Sequence, residues 1–236
     1  MTSETLRGEL ARPDALRDIG IVASPIVVLG VLGASVGLDT LLGGAVVNLG
    51  YLTAIMLGGY ILHRQGSSWG ALGLSAPERW AKTAGLGVAV AAGGVVVFVA
   101  TQWIALGILD ALGATDATVD QSRFDALNNN PALLLLMVVL SWTTIAFGEE
   151  LFYRAFFITR LLDHAGLGSW TAVVLGGVVF GGVHLTEGPV GVLSNGALGV
   201  LFGWVYLRSG RNLWVTIIAH GLINTLRFSL LYQGAA

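Results

Sequence analysis

The sequence predicts an all-α protein, a polytopic transmembrane helical bundle of about seven to eight helices. Three observations lead to this fold class. Apolar residues make up 55% of the 236 residues and charged residues 11%, whereas soluble domains carry about 25% charged residues. The mean hydropathy is +0.78. The apolar residues are also gathered into runs that approach the roughly 20 residues a helix needs to cross a bilayer.

Seven apolar runs follow one another along the chain. The first begins after eighteen residues of polar character and is longer than the apolar part of a signal peptide, so we expect it to remain as a helix. The polar stretches between runs are short, which predicts a single membrane domain over residues 1–236. The runs are 19–38, 41–62, 84–109, 132–147, 169–184, 190–207 and 213–231.

Basic residues concentrate before the first run and in alternate connections after it. They are Arg7, Arg12, Arg17, Arg64, Arg79, Lys82, Arg160, Arg208 and Arg211. The segment 110–131 instead carries Asp110, Asp116, Asp120 and Asp125 against Arg123. Because basic loops are retained in the cytoplasm, the pattern predicts an integral, multi-pass protein of the cell membrane with a cytoplasmic N-terminus.

The composition excludes several function classes. The chain contains no cysteine, so it has no disulfide, thiolate nucleophile or cysteine metal site. Its net charge of -2 provides no positive field for nucleic acid. We therefore expect the lipid bilayer, and no nucleic acid, among its partners.

Glycines recur at helical spacing in the later runs. Gly177 and Gly181 form one such pair, and Gly199 and Gly203 form another. Small residues at this spacing let helix backbones approach closely in a membrane. We expect both pairs to be packing sites.

Three short polar motifs lie within or directly beside the last four runs, where ionisable residues are costly and usually functional. Each motif places two polar or aromatic residues four positions apart, on one face of a helix. The motifs are Glu149-Glu150-Leu-Phe-Tyr-Arg154, Phe180-Gly-Gly-Val-His184 and His220-Gly-Leu-Ile-Asn224. Together they mark a candidate catalytic core at about residues 131–231.

The first motif combines an ion pair with a separate carboxylate. Glu150 precedes Arg154 by four residues, the favourable order for an intrahelical pair. Glu149 projects about 100° away around the helix and remains available for acid–base chemistry. The alternative is an ion network at a helix end, with Arg154 and Arg160 both near the headgroups.

Counting residues from the predicted turns at Gly166 and Gly210 estimates the depth of each histidine in the membrane. Glu149 lies 17 residues before Gly166 and His184 lies 18 residues after it, so a hairpin sets both at nearly the same depth. His220 lies ten residues after Gly210, roughly 15 Å from that face. A tilt or an extension beyond the membrane is then needed to bring His220 to the other two.

The order EExxxR, FxxxH and HxxxN on successive late helices resembles the CPBP family. This family comprises the type II CAAX prenyl endopeptidases and their prokaryotic relatives, including bacteriocin-processing and immunity-associated proteins. The resemblance implies an intramembrane endopeptidase. Glu149 and His184 would activate the attacking water, and His220 and Asn224 would stabilise the oxyanion. Glu150 and Arg154 would position the first motif.

The resemblance also implies a peptide or protein substrate at or in the membrane. Prenylated CAAX tails are the substrates of the eukaryotic branch, whereas peptide leaders, bacteriocins or membrane-anchored regulators are candidates for a prokaryotic protein.

Whether a metal takes part is left open by the residues. Glu149, His184 and His220 make a His₂Glu set of the kind that catalytic zinc uses, and the family is often labelled a metalloprotease. The HExxH signature of soluble zinc proteases is absent. We favour a glutamate-dependent mechanism without a tightly held metal over a zinc mechanism.

Two other readings compete with this one. Gly33-Ala-Ser35-Val-Gly37 fits the GxSxG pattern of serine hydrolases, and a rhomboid-like serine protease would need Ser35 to meet His184 or His220. Alternatively, the buried polar groups could line a transport path or hold a non-catalytic scaffold or immunity protein together. Against a transporter, no matching polar set is present in the first three runs.

Overall fold

A computed structural model describes residues 12–114 and 121–234 of the chain. Within these ranges the structure is helical and contains no strand, which confirms the predicted fold class. Arg7, Asp116 and Asp120, used above to predict sidedness, lie outside the described residues. The long helices are α1 (Arg12–Val36), α2 (Leu41–Arg64), α3 (Trp80–Ala111), α4 (Pro131–His164), α5 (Ser169–Gly182), α6 (Gly188–Arg208) and α7 (Leu213–Tyr232).

Polar caps begin three of these helices. The Thr40 side chain accepts a hydrogen bond from the backbone N–H of Gly43 at the start of α2. Asn130 caps α4 in the same way, directly before a proline at the first helical position. Asn212 accepts from the backbone N–H of Trp214 at the start of α7. These caps satisfy backbone donors that would otherwise lack a partner at the helix end.

Six of the seven helices are long and apolar enough to cross a membrane. The exception is α5, and here the expectation that the run 169–184 forms a nearly full span is wrong. Its 14 residues extend about 21 Å, less than the roughly 30 Å of hydrocarbon. After Gly182 the chain passes through the 3₁₀ turn Leu185–Glu187 and reverses at Gly188, whose φ of 75° suits glycine.

Helix α4 continues beyond its apolar run, as the hairpin that turns near Gly166 predicts. The apolar run ends at residue 147, but the helix continues to His164 as a single stretch of 34 residues. The charged residues after position 147 do not end it because they find partners inside the bundle. The run and the first polar motif therefore lie on one helix.

Close helix packing depends on the predicted glycines. Helix α5 packs on α6, α1 packs on α2, and α3 packs on both α6 and α7. A Cβ added to Gly177 would lie 2.4 Å from a Val200 methyl group, and one added to Gly199 would lie 2.9 Å from the Cα of Gly177. Added side-chain atoms at these positions would collide, so the interpretation as packing sites is confirmed for this pair of helices.

Side chains from four elements meet at one end of the bundle, which we call the basic end. Gln65 donates to Asp18 at 2.8 Å and accepts from Arg160. Arg211 forms a two-pronged ion pair with Asp163, at 2.6 and 2.7 Å, and these hydrogen bonds raise the pKa of the Arg211 guanidinium. The N-terminal end of α1, the C-terminal ends of α2 and α4, and the α6–α7 turn therefore share one side.

Candidate active site

Helix α4 is wider than an α-helix where it carries the first motif. It is π-helical over Ser141–Ile145 and again over Glu150–Ile158, with backbone hydrogen bonds closing larger rings. Such segments are rare and occur frequently at functional sites. Here they shift the faces that α4 presents to α2, α6 and α7.

Glu150 links α4 to α7. Its Oε1 lies 2.9 Å from Arg154 Nη1 and 2.9 Å from His220 Nδ1, and its side chain is fully buried. The contact between Glu150 and Arg154 that the sequence predicts is therefore present. The sequence did not predict that the same oxygen also holds His220.

Glu149 approaches the other nitrogen of the same imidazole. Its Oε2 lies 3.5 Å from His220 Nε2, and the residue is 6% exposed. Tyr51 of α2 interacts with the Glu149 carboxylate, and the Tyr51 hydroxyl lies 3.5 Å from that of Tyr153. Within the described ranges no arginine or lysine forms a salt bridge with Glu149. Its partners are thus an imidazole and phenolic groups.

Arg154 is enclosed by aromatic rings rather than by water. Its guanidinium lies 4.7 Å from the centroid of Phe180 and 5.2 Å from that of Phe202, and the side chain is 1% exposed. Cation–π contacts of this kind stabilise a charge that has lost its water shell. Arg160 lies at the basic end instead, so the two arginines do not form the single interfacial network considered as the alternative.

The second motif brings His184 to the same region through a shared ring. The Phe180 ring centroid lies 5.0 Å from that of His184 and 5.9 Å from that of His220. His184 Nδ1 lies 2.8 Å from the backbone oxygen of Phe180, which orients the imidazole, and the residue is half-buried. Phe180 therefore packs between the two histidines.

Asn224 is held by a residue that sequence reasoning missed. Its amide nitrogen donates to the Ser141 hydroxyl at 3.1 Å, and Ser141 is buried in the first π-helical segment of α4. One residue further along each helix, Trp142 donates to Thr225 at 3.0 Å. These two side-chain hydrogen bonds hold α4 against α7 at the position of Asn224.

By residue count, His220 lies closer to its turn than Glu149 lies to the turn near Gly166. The structure shows why the two residues still meet. Arg211 and Asp163 fix α4 and α7 to each other at the basic end. From there Glu149 is 14 residues away and His220 nine. π-Helical turns use more residues for each turn than α-helical turns, so they shorten the α4 arm. His220 then reaches the two glutamates.

Tyr51 and Ser141 are the further residues of this region. Tyr51 lies in an apolar run of the N-terminal half, and Ser141 lies ahead of the first motif, so neither belongs to a motif. The available signal was weak: each is a polar group inside a hydrophobic segment.

The described residues do not assemble the three-ligand zinc site. Across 12–114 and 121–234, no group of three or more His, Asp or Glu side chains is arranged to hold a metal ion. Glu149 and His220 approach each other at 3.5 Å, but His184 does not complete a set with them. The zinc mechanism therefore remains a prediction to be tested by metal analysis.

The serine alternative has no geometric support. Ser35 is exposed on α1, and its hydroxyl donates to the backbone oxygen of Leu32 at 2.7 Å. Among the described residues, the Ser35 hydroxyl forms its hydrogen bond within its own helix, and neither His184 nor His220 is its partner.

Comparison with known families agrees with the motif assignment. Residues 131–226 match the model of the family described as type II CAAX prenyl endopeptidase Rce1-like. The resemblance is confirmed. The matched region contains all three motifs and ends two residues after Asn224, and the Rce1-like family indicates a protease in the membrane. No curated protein and no solved structure gives a significant match to the chain.

Proposed function

We propose that this protein is an intramembrane endopeptidase that hydrolyses a peptide bond with water activated by Glu149. The observation that carries the proposal is the division between the two adjacent glutamates. Glu150 lies against Arg154 and His220, whereas Glu149 meets His220 alone among the described basic side chains. A buried carboxylate without a permanent cation can accept a proton from water.

His184 assists Glu149 in orienting the water. Its ring lies beside Phe180, which also contacts His220, and its orientation is fixed by the hydrogen bond at Nδ1. The half-buried imidazole can hold the water molecule by a hydrogen bond. After Glu149 has taken a proton from that water, the imidazole can pass a proton to the leaving amine.

His220 and Asn224 stabilise the negative oxygen that forms on the scissile carbonyl. An imidazole N–H and an amide N–H are suitable donors for an oxyanion. If Nδ1–H donates to Glu150, Nε2 must also carry a proton before it can donate to the oxyanion.

The substrate is a peptide or protein at or in the membrane. Proteolysis by the purified protein in detergent tests the proposal, with peptide and membrane-anchored candidates assayed in parallel. We expect Glu149→Gln to abolish cleavage and to leave thermal unfolding unchanged, because the amide is nearly isosteric but cannot take a proton from water.

Glu78→Gln is the matched control, since Glu78 is an exposed acid in the α2–α3 connection. It should retain full activity. Near wild-type cleavage by Glu149→Gln would remove Glu149 as the base, and a folded wild-type protein that cleaves none of the candidates would favour the scaffold reading.

A further inference from the structure

A second buried acid lies three residues after His184. Glu187 ends the short 3₁₀ turn Leu185–Glu187 that joins α5 to α6. Its backbone N–H donates to the backbone oxygen of His184 at 2.9 Å, and its side chain is fully buried. The turn that carries His184 is therefore anchored by a carboxylate inside the protein.

Both carboxylate oxygens of Glu187 are held from other parts of the bundle. Oε2 accepts from the Asn195 amide at 3.2 Å, and Oε1 lies 3.3 Å from Arg227 Nη1. Asn195 also donates to the Gly191 backbone oxygen at 2.9 Å, and the Arg227 guanidinium lies 5.1 Å from the centroid of the Phe124 ring. The acid thus ties the turn to α6, to α7 and to the short helix Ser122–Leu127.

The backbone is shaped to admit this side chain. A Cβ added to Gly191 would lie 2.3 Å from the Cβ of Glu187, so the first turn of α6 accommodates Glu187 because position 191 has no side chain. Gly188, with a φ of 75°, lets the chain reverse immediately after the acid.

We infer that Glu187, held by Arg227 and Asn195, is a positioning residue for His184. A buried charge at this depth is costly, and the reaction proposed above gives Glu187 no chemical step. Its contacts instead fix the one turn whose orientation decides where His184 lies. The inference rests on the proposed function of His184.

The first test is kinetic. Glu187→Gln keeps the shape of the side chain and an acceptor for Asn195, but it gives up the ion pair and leaves Arg227 without its acid. A loosened turn misplaces His184, so we expect kcat to fall about 100-fold with KM unchanged. Glu187→Gln/Arg227→Gln should regain part of that loss, because the uncompensated charge is removed as well.

Asp14→Asn is the matched control. It is the same acid-to-amide change in another ion pair, with Arg17 on the exposed surface of α1, away from the α5–α6 turn and from the α4–α7 contact. We expect it to leave kcat at the wild-type value.

A second test does not depend on activity. Modification of His184 by diethyl pyrocarbonate, followed by mass spectrometry, should become several-fold faster in Glu187→Gln and stay unchanged in Asp14→Asn. Exposed His63 is the internal reference. If the wild type cleaves no peptide, the proposed function fails while this assay still reports on the turn.

The inference is overturned if Glu187→Gln leaves both kcat and His184 modification at wild-type values. It is also overturned if that variant lowers the unfolding temperature without changing either quantity, since Glu187 would then contribute to stability alone.

Discussion

His220 is the residue on which the candidate site depends most. Its two ring nitrogens face Glu150 at 2.9 Å and Glu149 at 3.5 Å, and its ring packs against Phe180 and Phe202. An imidazole held on both edges and both sides loses little entropy when a substrate arrives, as preorganised oxyanion donors require.

At the same scale, Asn224→Ala tests the oxyanion assignment. If Asn224 donates to the oxyanion, its contribution arises in the transition state, so the variant should lower kcat by about 100- to 1,000-fold with KM nearly unchanged. Ser141→Ala, which removes the partner that orients the amide, should give a smaller loss of the same kind. Steady-state kinetics of both variants provide the measurement, and an Asn224→Ala change confined to KM would contradict the assignment.

The zinc mechanism predicts a different outcome for the same pair of positions. If His220 is a ligand, His220→Ala should release bound metal, and Asn224→Ala should lower activity by about 10- to 100-fold. Metal analysis of wild type and His220→Ala, together with activity after exhaustive chelation, separates the mechanisms. Stoichiometric zinc that is lost with His220 would refute the metal-free mechanism, and full activity after chelation would refute the zinc mechanism.

Sequence reasoning identified the three motif pairs but not how they meet. The Glu150–Arg154 contact follows from a four-residue spacing, which is local information. The contacts of His220 with both glutamates depend on the π-helical turns in α4. No residue spacing encodes this feature. Tyr51 was missed for a related reason, since its role depends on α2 packing against α4 rather than on any neighbour in the chain.

Among the elements, α4 and α7 are joined by buried polar groups as well as by apolar clusters. Glu150→Ala would leave both Arg154 and His220 without their shared acid, inside the membrane. Removing one partner of a buried ion pair typically costs about 3–5 kcal/mol, so we expect lower yield and a lower unfolding temperature as well as loss of activity. Thermal unfolding in detergent gives the measurement, and an unchanged transition would contradict a structural role for the pair.

The α5–α6 interface should be equally sensitive to added volume. Gly177→Ala would place a methyl group 2.4 Å from a Val200 methyl and 2.9 Å from the Gly196 backbone oxygen. Overpacking of this kind costs about 1–3 kcal/mol, so the unfolding temperature should fall. Gly182→Ala on the same helix is the control, because nothing lies within 4 Å of an added Cβ. Equal transitions for the two variants would mean that the helices separate easily.

For the whole molecule, the chain is a multi-pass membrane protein whose orientation can be measured directly. Because it lacks cysteine, single cysteines can be introduced without background. We expect Ser68→Cys, in the connection after α2, to react with a membrane-impermeant maleimide only after the cells are permeabilised. Asp39→Cys, in the α1–α2 turn, should react in intact cells, since the basic end is predicted to face the cytoplasm. The reverse pattern would invert the predicted topology.

The composition and the lengths of the apolar runs were sufficient to predict the fold class, because a bilayer imposes helix length directly. The glycines and charges around Gly166 predicted the turn that ends α4. The early end of α5 at Gly182 was not predicted, because the apolar run continues past it and hydropathy does not report where a helix stops.

The length of α5 also has a consequence for the surrounding lipid. A helix of 14 residues falls about 9 Å short of the hydrocarbon thickness, and a bilayer next to a short helix thins to match it. Thinning of this kind draws the headgroup layer inward at the C-terminal end of α5, two residues before His184. The proposed hydrolysis consumes water, which hydrocarbon excludes. On that proposal, the missing turns of α5 shorten the path from the aqueous phase to His184.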